Sequence, residues 1–576
     1  AKCGYSGHLR MFLSSECRMR KREGGLFDIV LQELHAQGTE LLHVGDHQIS
    51  DVASPKARGI ETYRVMASTE RIEANERFNK RIRVGTAPSI CNALVAHRLF
   101  DSEAGGHEQR SHFMGQPFYF GYAALGPVVA GYAMWLQRTA AKHGIERLFF
   151  LSREGAILKQ VYDVLHAADF AGPPSEYFLA SRRALRAASI TSRSDLLSVA
   201  ACTFHDEGTT VARLFEARFG LPEHLISDSG LRHAGYRSAQ DRVSNSPAGL
   251  LKIGALALAL EDEIVRHSAR ERANYFKYIE RTNLLATKNL ALVDLGWAGN
   301  MQDSLQKLVG RSIPGYYYAT LETALPRAHS GLVMHGFAGD FVVGDRHPSV
   351  VVARRPLAEY LLCSADPSLK CFSADGTPVF HDGIEPVSRA ELIRGVHDGI
   401  VAFARDLVTR LGPHLADQHF DPFTAESNYK DFIERPTPPD IALLEGHYQE
   451  DAFGGLARRY FIATGERDAE AIIRASYWKE GARAYVKRAK GNGAKHTPEA
   501  HPLELNGGSL GQGVFDRVLR PVEQKAIQAF SSERKQRKYQ RNRAAFFADS
   551  SKGLARRWGE WSGRLMNGHV PKSHKA

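Results

Sequence analysis

Short apolar runs alternate with helix-like segments over the first 70 residues of the chain. The runs LRMFLSS, ELLHVGD and ETYRVM have the length and the apolar content of strands. The segments GGLFDIVLQELHAQG and SDVASPKARG lie between them and space their apolar residues as helices do. Strands that alternate with short helices predict a parallel sheet. We therefore expect a small α/β domain over residues 1–70.

A larger α/β domain with many helices is predicted for residues 111–485, after a charged and mostly helical connector over residues 71–110. Helical periodicity dominates between about residues 195 and 290, and helices return after about residue 385. Strand-like runs precede and follow the first of these helical parts, so the pattern still favours the α/β class.

Two segments of this larger domain pass from a strand through a polar turn into a helix. The segment IERLFFLSREGAILKQVYDVL predicts a strand and then a helix that begins near Ala156. The segment NLALVDLGWAGNMQDSLQKLVG repeats that layout, with a strand ending at Asp294 and a helix beginning near Asn300. Open α/β sheets bind ligands at the carboxyl ends of their strands, so both turns are candidates for a binding site.

The composition is that of a globular protein with several domains. Of the 576 residues, 43% are hydrophobic and 24% are charged. The longest apolar run, residues 118–136, contains glycines and a proline, and it predicts buried helices rather than a membrane span. The six cysteines are scattered without the paired spacing of a zinc site, which fits a reducing cytoplasm. Because the first residue is Ala, we expect the sequence to be part of a longer protein.

The formal net charge of +11 favours anionic partners, and much of it lies in a basic, amphipathic tail over residues 514–576. A linker rich in Gly, Pro and polar residues is predicted before it, over residues 486–513. Basic residues of the tail alternate with aromatic ones, which on a helix suits an anionic membrane surface. The alternative is a solvated helix that packs its aromatic residues on the domain. Nucleic acid is not expected as a partner, because no nucleic-acid-binding fold accompanies the tail.

The first candidate site lies in residues 1–70. Asp46 ends a predicted strand and Asp51 begins the next helix, so both carboxylates can point into one crevice. Two carboxylates that close repel each other unless a cation lies between them, and oxygen ligands suit Mg²⁺. Ser14 and Lys21 could hold a phosphoryl group, which together with the acids gives a phosphoryl-transfer site. The alternative is that Asp51 caps the helix and Asp46 lies in a loop.

The order Ser, Lys, Gly-Asp, Asp resembles the haloacid dehalogenase (HAD) superfamily of phosphohydrolases over roughly the first 70 residues. The resemblance implies a Rossmann-like parallel sheet. It implies that Ser14, or alternatively Ser15, binds phosphate and that Lys21 is the catalytic cation. It also implies that Asp46 and Asp51 bind Mg²⁺ as the cofactor.

The chain departs from that family at the first motif, Asp-x-Asp, which carries the nucleophile. No acidic residue precedes Leu9, so the strand bearing this motif, which is central in the family's sheet, is missing from the sequence. We expect an incomplete HAD-type sheet that binds Mg²⁺ or phosphate weakly and does not hydrolyse phosphate esters by the family route.

The second candidate site combines three strand-to-helix junctions of the larger domain. An arginine beside a helix N-terminus can hold a phosphate, and glycines let the backbone approach a ligand closely. Asp294 could hold a ribose hydroxyl or a metal, and Trp297 could stack on a base or sugar ring. The candidate residues for a phosphate or sugar-nucleotide are Ser152, Arg153, Glu154, Arg182, Arg183, Asp294, Gly296, Trp297 and Gly299.

The alternative for these residues is structural. Arg153 and Glu154 would then pair with each other, Asp294 would cap a helix, and Trp297 would pack in the core. Three such junctions in one domain favour a real site.

Two further resemblances concern the larger domain and the tail. The turns FFLSREG, ASRRAL and VDLGWAG resemble the carboxy-terminal part of large bacterial proteins that are predicted HAD-superfamily hydrolases, with Glu154 in place of an Asp. The tail resembles a KLxRxPxxFFxDSK segment of bacterial capsule and lipopolysaccharide biosynthesis proteins, including glycosyltransferases. The matching tail residues are Phe546, Phe547, Asp549, Ser550 and Lys552, while Asn542 and Arg543 replace the proline-containing part.

Together these features predict a HAD-like phosphohydrolase domain fused to an α/β domain that binds a phosphorylated sugar or nucleotide-sugar. The resemblances imply a role in bacterial surface polysaccharide biosynthesis, in the cytoplasm and peripherally at the inner membrane. One alternative is a glycosyltransferase that uses a nucleotide-sugar in the central domain. The other is a non-catalytic, membrane-associated scaffold.

Overall fold

The amino-terminal segment forms a two-stranded parallel sheet with short helices in the computed structural model. The structure describes residues 10–74, 86–101, 111–168, 172–202, 204, 208–381, 386–450, 458–465 and 468–491. Strands β1 and β2 pair in register, with Leu42 opposite Glu61 and Gly45 opposite Arg64. The first elements are α1 (Ser14–Cys17), α2 (Gly25–Leu34), β1 (Leu42–Gly45), a π-helical segment (Gln48–Ala53), α3 (Ser54–Lys56) and β2 (Glu61–Arg64). From α2 onwards they follow the predicted order.

The strand predicted from LRMFLSS is wrong. Leu13 is extended, but residues 10–13 pair with no described strand, and α1 begins at Ser14. In the described part of the chain β1 has a strand on one side only, and Leu42 and Val44 are 64% and 54% exposed. A strand needs a neighbour for its backbone N–H and C=O groups, and residues 10–13 have none there.

The connector is helical where the structure describes it, and it leads into a buried helical layer. This part comprises α4 (Ser68–Ala74), α5 (Thr86–Phe100), α6 (Pro117–Phe120), a π-helical segment (Gly121–Leu125) and α7 (Gly126–Lys142). The apolar run over residues 118–136 lies in this layer and is mostly buried, as the pattern predicts. Among the described residues, no helix combines the length and the apolar character needed to cross a membrane.

A parallel strand–helix–strand unit follows, and a group of helices with its own apolar core comes after it. The unit comprises β3 (Arg147–Leu151), α8 (Gly155–His166), β4 (Ser175–Phe178) and α9 (Arg182–Ser189). The group comprises α10 (Arg193–Ala200), α11 (Val211–Phe219), α12 (Asp228–His233), α13 (Pro247–Ala259) and α14 (Glu261–Ile279). This group accounts for the helical periodicity predicted between residues 195 and 290.

The chain then returns to the sheet and continues through a mainly helical part. The return comprises β5 (Leu290–Asp294), α15 (Asn300–Val309), β6 (Gly315–Tyr317), α16 (Leu325–His329), β7 (Met334–Gly336), α17 (Val350–Ala353) and α18 (Arg355–Leu362). The later elements are β8 (Leu369–Phe372), β9 (Pro378–Phe380), α19 (Val387–Leu411), α20 (Pro422–Ala425), α21 (Ser427–Glu434), β10 (Tyr448–Glu450), β11 (Arg458–Tyr460), α22 (Ala469–Ala475) and α23 (Lys479–Gly491). Strands β8 and β9, like β10 and β11, form antiparallel pairs.

The main sheet has five parallel strands in the order β4-β3-β5-β6-β7. The chain moves outwards from β3 to β4, and then returns to the other side of β3 to lay down β5, β6 and β7. The carboxyl ends of β3 and β5 therefore flank the switch point of the sheet, the place at which such sheets bind ligands. The predicted α/β class is confirmed.

Helices cover both faces of this sheet. Leu148 and Phe150 of β3 belong to the core that contains α7 and α19, whereas Phe149 and Leu151 belong to the core that contains α9 and α14. Successive side chains of a strand point to opposite faces, so a strand buried on both faces reads as the continuous apolar run LFFL. Each of these side chains is fully buried, which stabilises the fold by about 1.5–3 kcal/mol per residue.

A buried carboxylate joins the segment before α6 to the segment after α21. Asp440 has both oxygens inside the protein, and burial would raise its pKa, but the hydrogen bonds it accepts lower that pKa instead. The backbone N–H groups of His112, Phe113 and Gly115 donate to it from 2.8–3.1 Å. The hydroxyls of Ser111 and Thr437 also donate to it. This set of contacts is called the Asp440 clasp below.

The chain divides into two compact units, Ala1–Gly493 and Ala494–Ala576, and all described residues belong to the first. Helix α23 extends to Gly491, into the segment predicted as a linker. The rest of that segment and the predicted tail, residues 514–576, lie outside the described residues.

Candidate functional site

The structure brings two of the four residues predicted for the amino-terminal site together. Asp51 is buried and accepts hydrogen bonds from Lys21 Nζ at 3.1 Å, His43 Nε2 at 2.9 Å and the His47 N–H at 3.0 Å. Burial would raise the pKa of Asp51, but these three donors and the charge of Lys21 lower it to about 2. A side chain at Gly45 would lie 2.5 Å from the Asp51 carboxyl carbon, so the end of β1 needs glycine there.

The other two residues lie apart from this pair. The Asp46 side chain is exposed, and its backbone carbonyl accepts a hydrogen bond from Arg64 Nε at 2.9 Å. Ser14 is exposed at the start of α1, as is Ser15. The two acids therefore do not share a crevice: Asp51 faces Lys21 and His43, whereas Asp46 faces solvent.

This arrangement does not fit Mg²⁺ at Asp51. Nitrogen donors already occupy both carboxylate oxygens, and one of them is the Lys21 ammonium, which repels a metal ion. Among the residues that the structure describes, no group of three or more His, Cys, Asp or Glu side chains is arranged to hold a metal ion. Magnesium and phosphate hydrolysis at residues 1–70 stay predictions.

The switch point of the main sheet brings together the two turns predicted in the larger domain. Ser152, Arg153 and Glu154 connect β3 to α8, and residues 295–299 connect β5 to α15. Strands β3 and β5 are hydrogen-bonded neighbours, with Phe150 opposite Val293, so the two turns lie side by side. The peptide bonds Ser152–Arg153 and Gly296–Trp297, one in each turn, are cis.

Three carboxylates meet at these turns. Burial raises the pKa of Asp294 well above its ordinary value, and the charges of Glu154 and Glu359 raise it further. Burial also raises the pKa of Glu359, again with a contribution from Glu154. The cation of Arg182 opposes both shifts. The cluster therefore favours the protonated form of Asp294, which can then donate a hydrogen bond.

The Glu359 carboxylate holds the Trp297 side chain in place. Its indole Nε1 donates to Glu359 Oε1 at 2.6 Å, and Gln449 Nε2 donates to the other Glu359 oxygen at 3.3 Å. The ring is half-buried and packs against the main core. These contacts fix the orientation of the indole at the turn after β5, while stacking of Trp297 on a ligand stays a prediction.

The glycines of this second turn have different requirements. Gly299 has a positive φ of 69°, and a side chain there would lie 2.8 Å from a carbon of Met334. At Gly296 an added carbon would lie 3.2 Å from the Ala319 carbonyl oxygen. Glycine adopts this backbone conformation without strain, so Gly299 lets the chain pass from the turn into α15. Helices α8 and α15 start at the switch point, and within the described part of the chain neither has a side-chain hydrogen bond from its N-cap residue to its first turn.

Ser152 and the two arginines of α9 have distinct positions. The Ser152 hydroxyl donates to the Ala180 carbonyl at 2.7 Å and accepts from the Ala180 N–H at 3.0 Å, so it joins the ends of β3 and β4. Arg183 pairs with Glu271 at 2.6 Å and donates to the Lys370 carbonyl, which commits it to the packing of α9 on α14 and β8. Arg182 is exposed and makes no hydrogen bond or ion pair with any described residue.

Sequence reasoning missed Glu359, Arg186 and Arg327 as members of this site. Glu359 lies on α18, more than 60 residues beyond Trp297, and its only signal is a single acid in the apolar stretch RPLAEYLL. Arg186 follows Arg182 by one helical turn, a spacing that places both on one face of α9. Arg327 lies on α16, and its Nη1 reaches the Ala298 carbonyl at 3.4 Å.

A depression of about 390 Å³ lies elsewhere on the molecule, between α22 and α23. It is lined by Glu470, Ile473, Arg474, Lys479 and Arg483. Its lining has one carboxylate, that of Glu470, and lacks the three neighbouring acids and the glycine turns of the switch point, so the chemistry favours the switch point as the candidate site.

A search of protein-family models found no match for this chain, and a search of curated proteins found none either. The resemblance to the HAD superfamily and to polysaccharide biosynthesis proteins therefore stays a prediction from the sequence.

Proposed function

We propose that the five-stranded domain binds a phosphorylated sugar or nucleotide-sugar at its switch point and transfers the glycosyl group. The observation that carries this proposal is the position of the Arg182 guanidinium. It is exposed at the carboxyl edge of the sheet, close enough to Asp294 and Glu359 to oppose the rise of their pKa values, and it forms no hydrogen bond or ion pair with a described residue.

Glycosyl transfer needs the two kinds of group that meet there. The bond between the anomeric carbon and a phosphate oxygen breaks, and the departing phosphate carries negative charge that Arg182 can offset. The acceptor hydroxyl forms the new bond to the anomeric carbon, and its proton passes to a carboxylate such as that of Glu154. Asp294 in its protonated form can donate a hydrogen bond to a sugar hydroxyl or a phosphate oxygen.

The sequence of the tail supports a biological setting for this reaction. Its resemblance to capsule and lipopolysaccharide biosynthesis proteins favours bacterial surface polysaccharide as the product, and its basic and aromatic residues favour an anionic membrane surface as the place of work. The proposal is therefore a glycosyltransferase that acts peripherally at the inner membrane.

Thermal unfolding of the full chain with a panel of nucleotide-sugars tests the proposal. At least one donor is expected to raise the melting temperature of the wild type, because a ligand that binds only the folded state stabilises it. The shift should shrink in Arg182→Gln and in Asp294→Ala. Arg232→Gln removes an exposed arginine of α12 and is the matched control. If no donor shifts the melting temperature of the wild type, the proposal fails.

A further inference from the structure

Helix α9 carries three arginines, and only one of them is neutralised by a described carboxylate. Arg183 pairs with Glu271, as described above. Arg182 and Arg186 form no ion pair with any residue in the described part of the chain. A positive charge without an ion-pair partner inside a folded protein lowers stability. An arginine in such a position is therefore a candidate for binding an anionic ligand.

The environment of Arg186 sharpens this point. Its guanidinium is half-buried, and burial lowers its pKa. The charges of Arg182 and Arg327 lower that pKa further, whereas the thiol of Cys202 acts in the opposite direction. Arg182 and Arg327 therefore each lie close enough to Arg186 to repel its charge.

Arg327 ties this group of cations to the candidate site. It belongs to α16, and its hydrogen bond to the Ala298 carbonyl at 3.4 Å places it against the turn between β5 and α15. Arg182, on α9, is close enough to Asp294 to oppose its pKa shift. The three guanidinium groups thus belong to one region, at the edge where the proposed phosphate group would sit.

We infer that Arg182, Arg186 and Arg327 bind the diphosphate of an organic diphosphate ester. This inference deepens the proposed function and rests on it, because it names the charged group of the ligand at the same site.

A diphosphate fits this arrangement better than a monophosphate does. Three guanidinium groups supply three positive charges. Each guanidinium group can bind a phosphoryl group through two parallel N–H hydrogen bonds. The two phosphoryl groups of a diphosphate carry more charge and span a greater length, so they can contact arginines from both α9 and α16 at once. A single phosphoryl group would leave part of the mutual repulsion unrelieved.

Two kinds of molecule present such a diphosphate, namely nucleoside diphosphate sugars and polyprenyl diphosphates. Isothermal titration of the full chain with UDP, UMP, inorganic pyrophosphate, inorganic phosphate and farnesyl diphosphate separates them. We expect UDP and pyrophosphate to bind at least about tenfold more tightly than UMP and phosphate. Stronger binding of UDP than of pyrophosphate assigns the nucleotide source, and stronger binding of farnesyl diphosphate assigns the lipid source.

Substitution of the arginines then assigns the binding to these residues. Arg186→Gln and Arg327→Gln are each expected to weaken diphosphate binding about tenfold and to change monophosphate binding much less. Arg186→Lys keeps the charge but loses the planar fork, so an intermediate loss is expected. Arg232→Gln should bind as the wild type does. Arg186→Gln should also melt at the same or a higher temperature without ligand, since it removes a repelled cation; this result excludes misfolding as the cause of lost binding.

Two results would overturn the inference in different ways. The first result is that the wild type binds diphosphates and monophosphates equally well, or that Arg186→Gln and Arg327→Gln bind diphosphates as the wild type does. In that case the site binds phosphate groups, but these arginines do not select a diphosphate. If the wild type binds no phosphorylated compound, the proposed function fails and the inference fails with it.

Discussion

The indole N–H of Trp297 donates a hydrogen bond of 2.6 Å to the Glu359 carboxylate. This contact connects the turn after β5 to α18, an element that follows later in the chain. Because the acceptor is a carboxylate whose pKa is already raised by burial, loss of the donor leaves a poorly satisfied group next to the switch point.

Replacement of Trp297 by Phe should therefore destabilise the protein by more than the lost packing. We expect a loss of about 1.5–3 kcal/mol, the usual value for a hydrogen bond to a charged group. Trp135→Phe is the matched control, because the Trp135 ring is also half-buried against the core and its indole forms no hydrogen bond within the described residues. Chemical denaturation measures the free energy of unfolding of both variants. An equal loss in Trp297→Phe and Trp135→Phe would show that the hydrogen bond to Glu359 contributes nothing beyond packing.

The raised pKa of Asp294 predicts how stability changes with pH. Since its folded pKa lies well above the ordinary value of 3.8, the unfolded chain releases this proton first, and the contribution of Asp294 to stability falls as the pH rises above about 4. Asp294→Asn should lack this fall and be the more stable protein at neutral pH without ligand. Asp262→Asn, at an exposed position of α14, is the control. Parallel stability curves for the wild type and Asp294→Asn between pH 4 and pH 8 would disprove the prediction.

The opposite shift at Asp51 predicts an acid-labile contribution to stability. Its pKa is about 2 in the folded protein against an ordinary value of 3.8, so its contribution is complete above about pH 4 and is lost as the pH falls towards 2. That contribution amounts to about 2 kcal/mol. Asp51→Asn should cost a similar amount at neutral pH, and Lys21→Met less, because the Lys21 side chain is 45% exposed. Urea denaturation at pH 7 and pH 3 tests both values, and an unchanged stability of Asp51→Asn at pH 7 would refute the role of the carboxylate.

The basic tail predicts binding to anionic membranes. The full chain is expected to float with vesicles that contain phosphatidylglycerol and to stay at the bottom with purely zwitterionic vesicles, because clustered Lys and Arg are attracted by the surface charge. Removal of residues 514–576 should abolish flotation, and high salt should weaken it. Flotation that is independent of lipid charge, or that persists without the tail, would count against the prediction.

The sequence was most informative where periodicity and turn residues agreed. The strand ending at Asp294 and the helix beginning at Asn300 have the predicted limits, because a continuous apolar run and a glycine-rich turn mark both ends. The strand predicted from LRMFLSS failed because a run of apolar residues does not reveal whether a neighbouring strand exists. In parallel sheets that neighbour comes from another part of the chain.

The members of the candidate site were harder to predict for a related reason. The motif ASRRAL contains two adjacent arginines that look equivalent, yet Arg183 pairs with Glu271 and Arg182 does not. Which side of α9 faces the sheet edge depends on how α14 and α15 pack against it. Glu359 and Arg327 come from distant elements, and only the strand order β4-β3-β5-β6-β7 explains why they belong near the turn after β5.

The Asp440 clasp has a consequence for how the protein is made. Ser111 and Asp440 are 329 residues apart, and that carboxylate accepts the hydrogen bonds of the buried His112 and Phe113 amides. A ribosome that has synthesised the whole five-stranded sheet has not yet released Asp440. During synthesis the amides before α6 therefore lack their acceptor until the chain beyond α21 has been made, so this part of the core forms late.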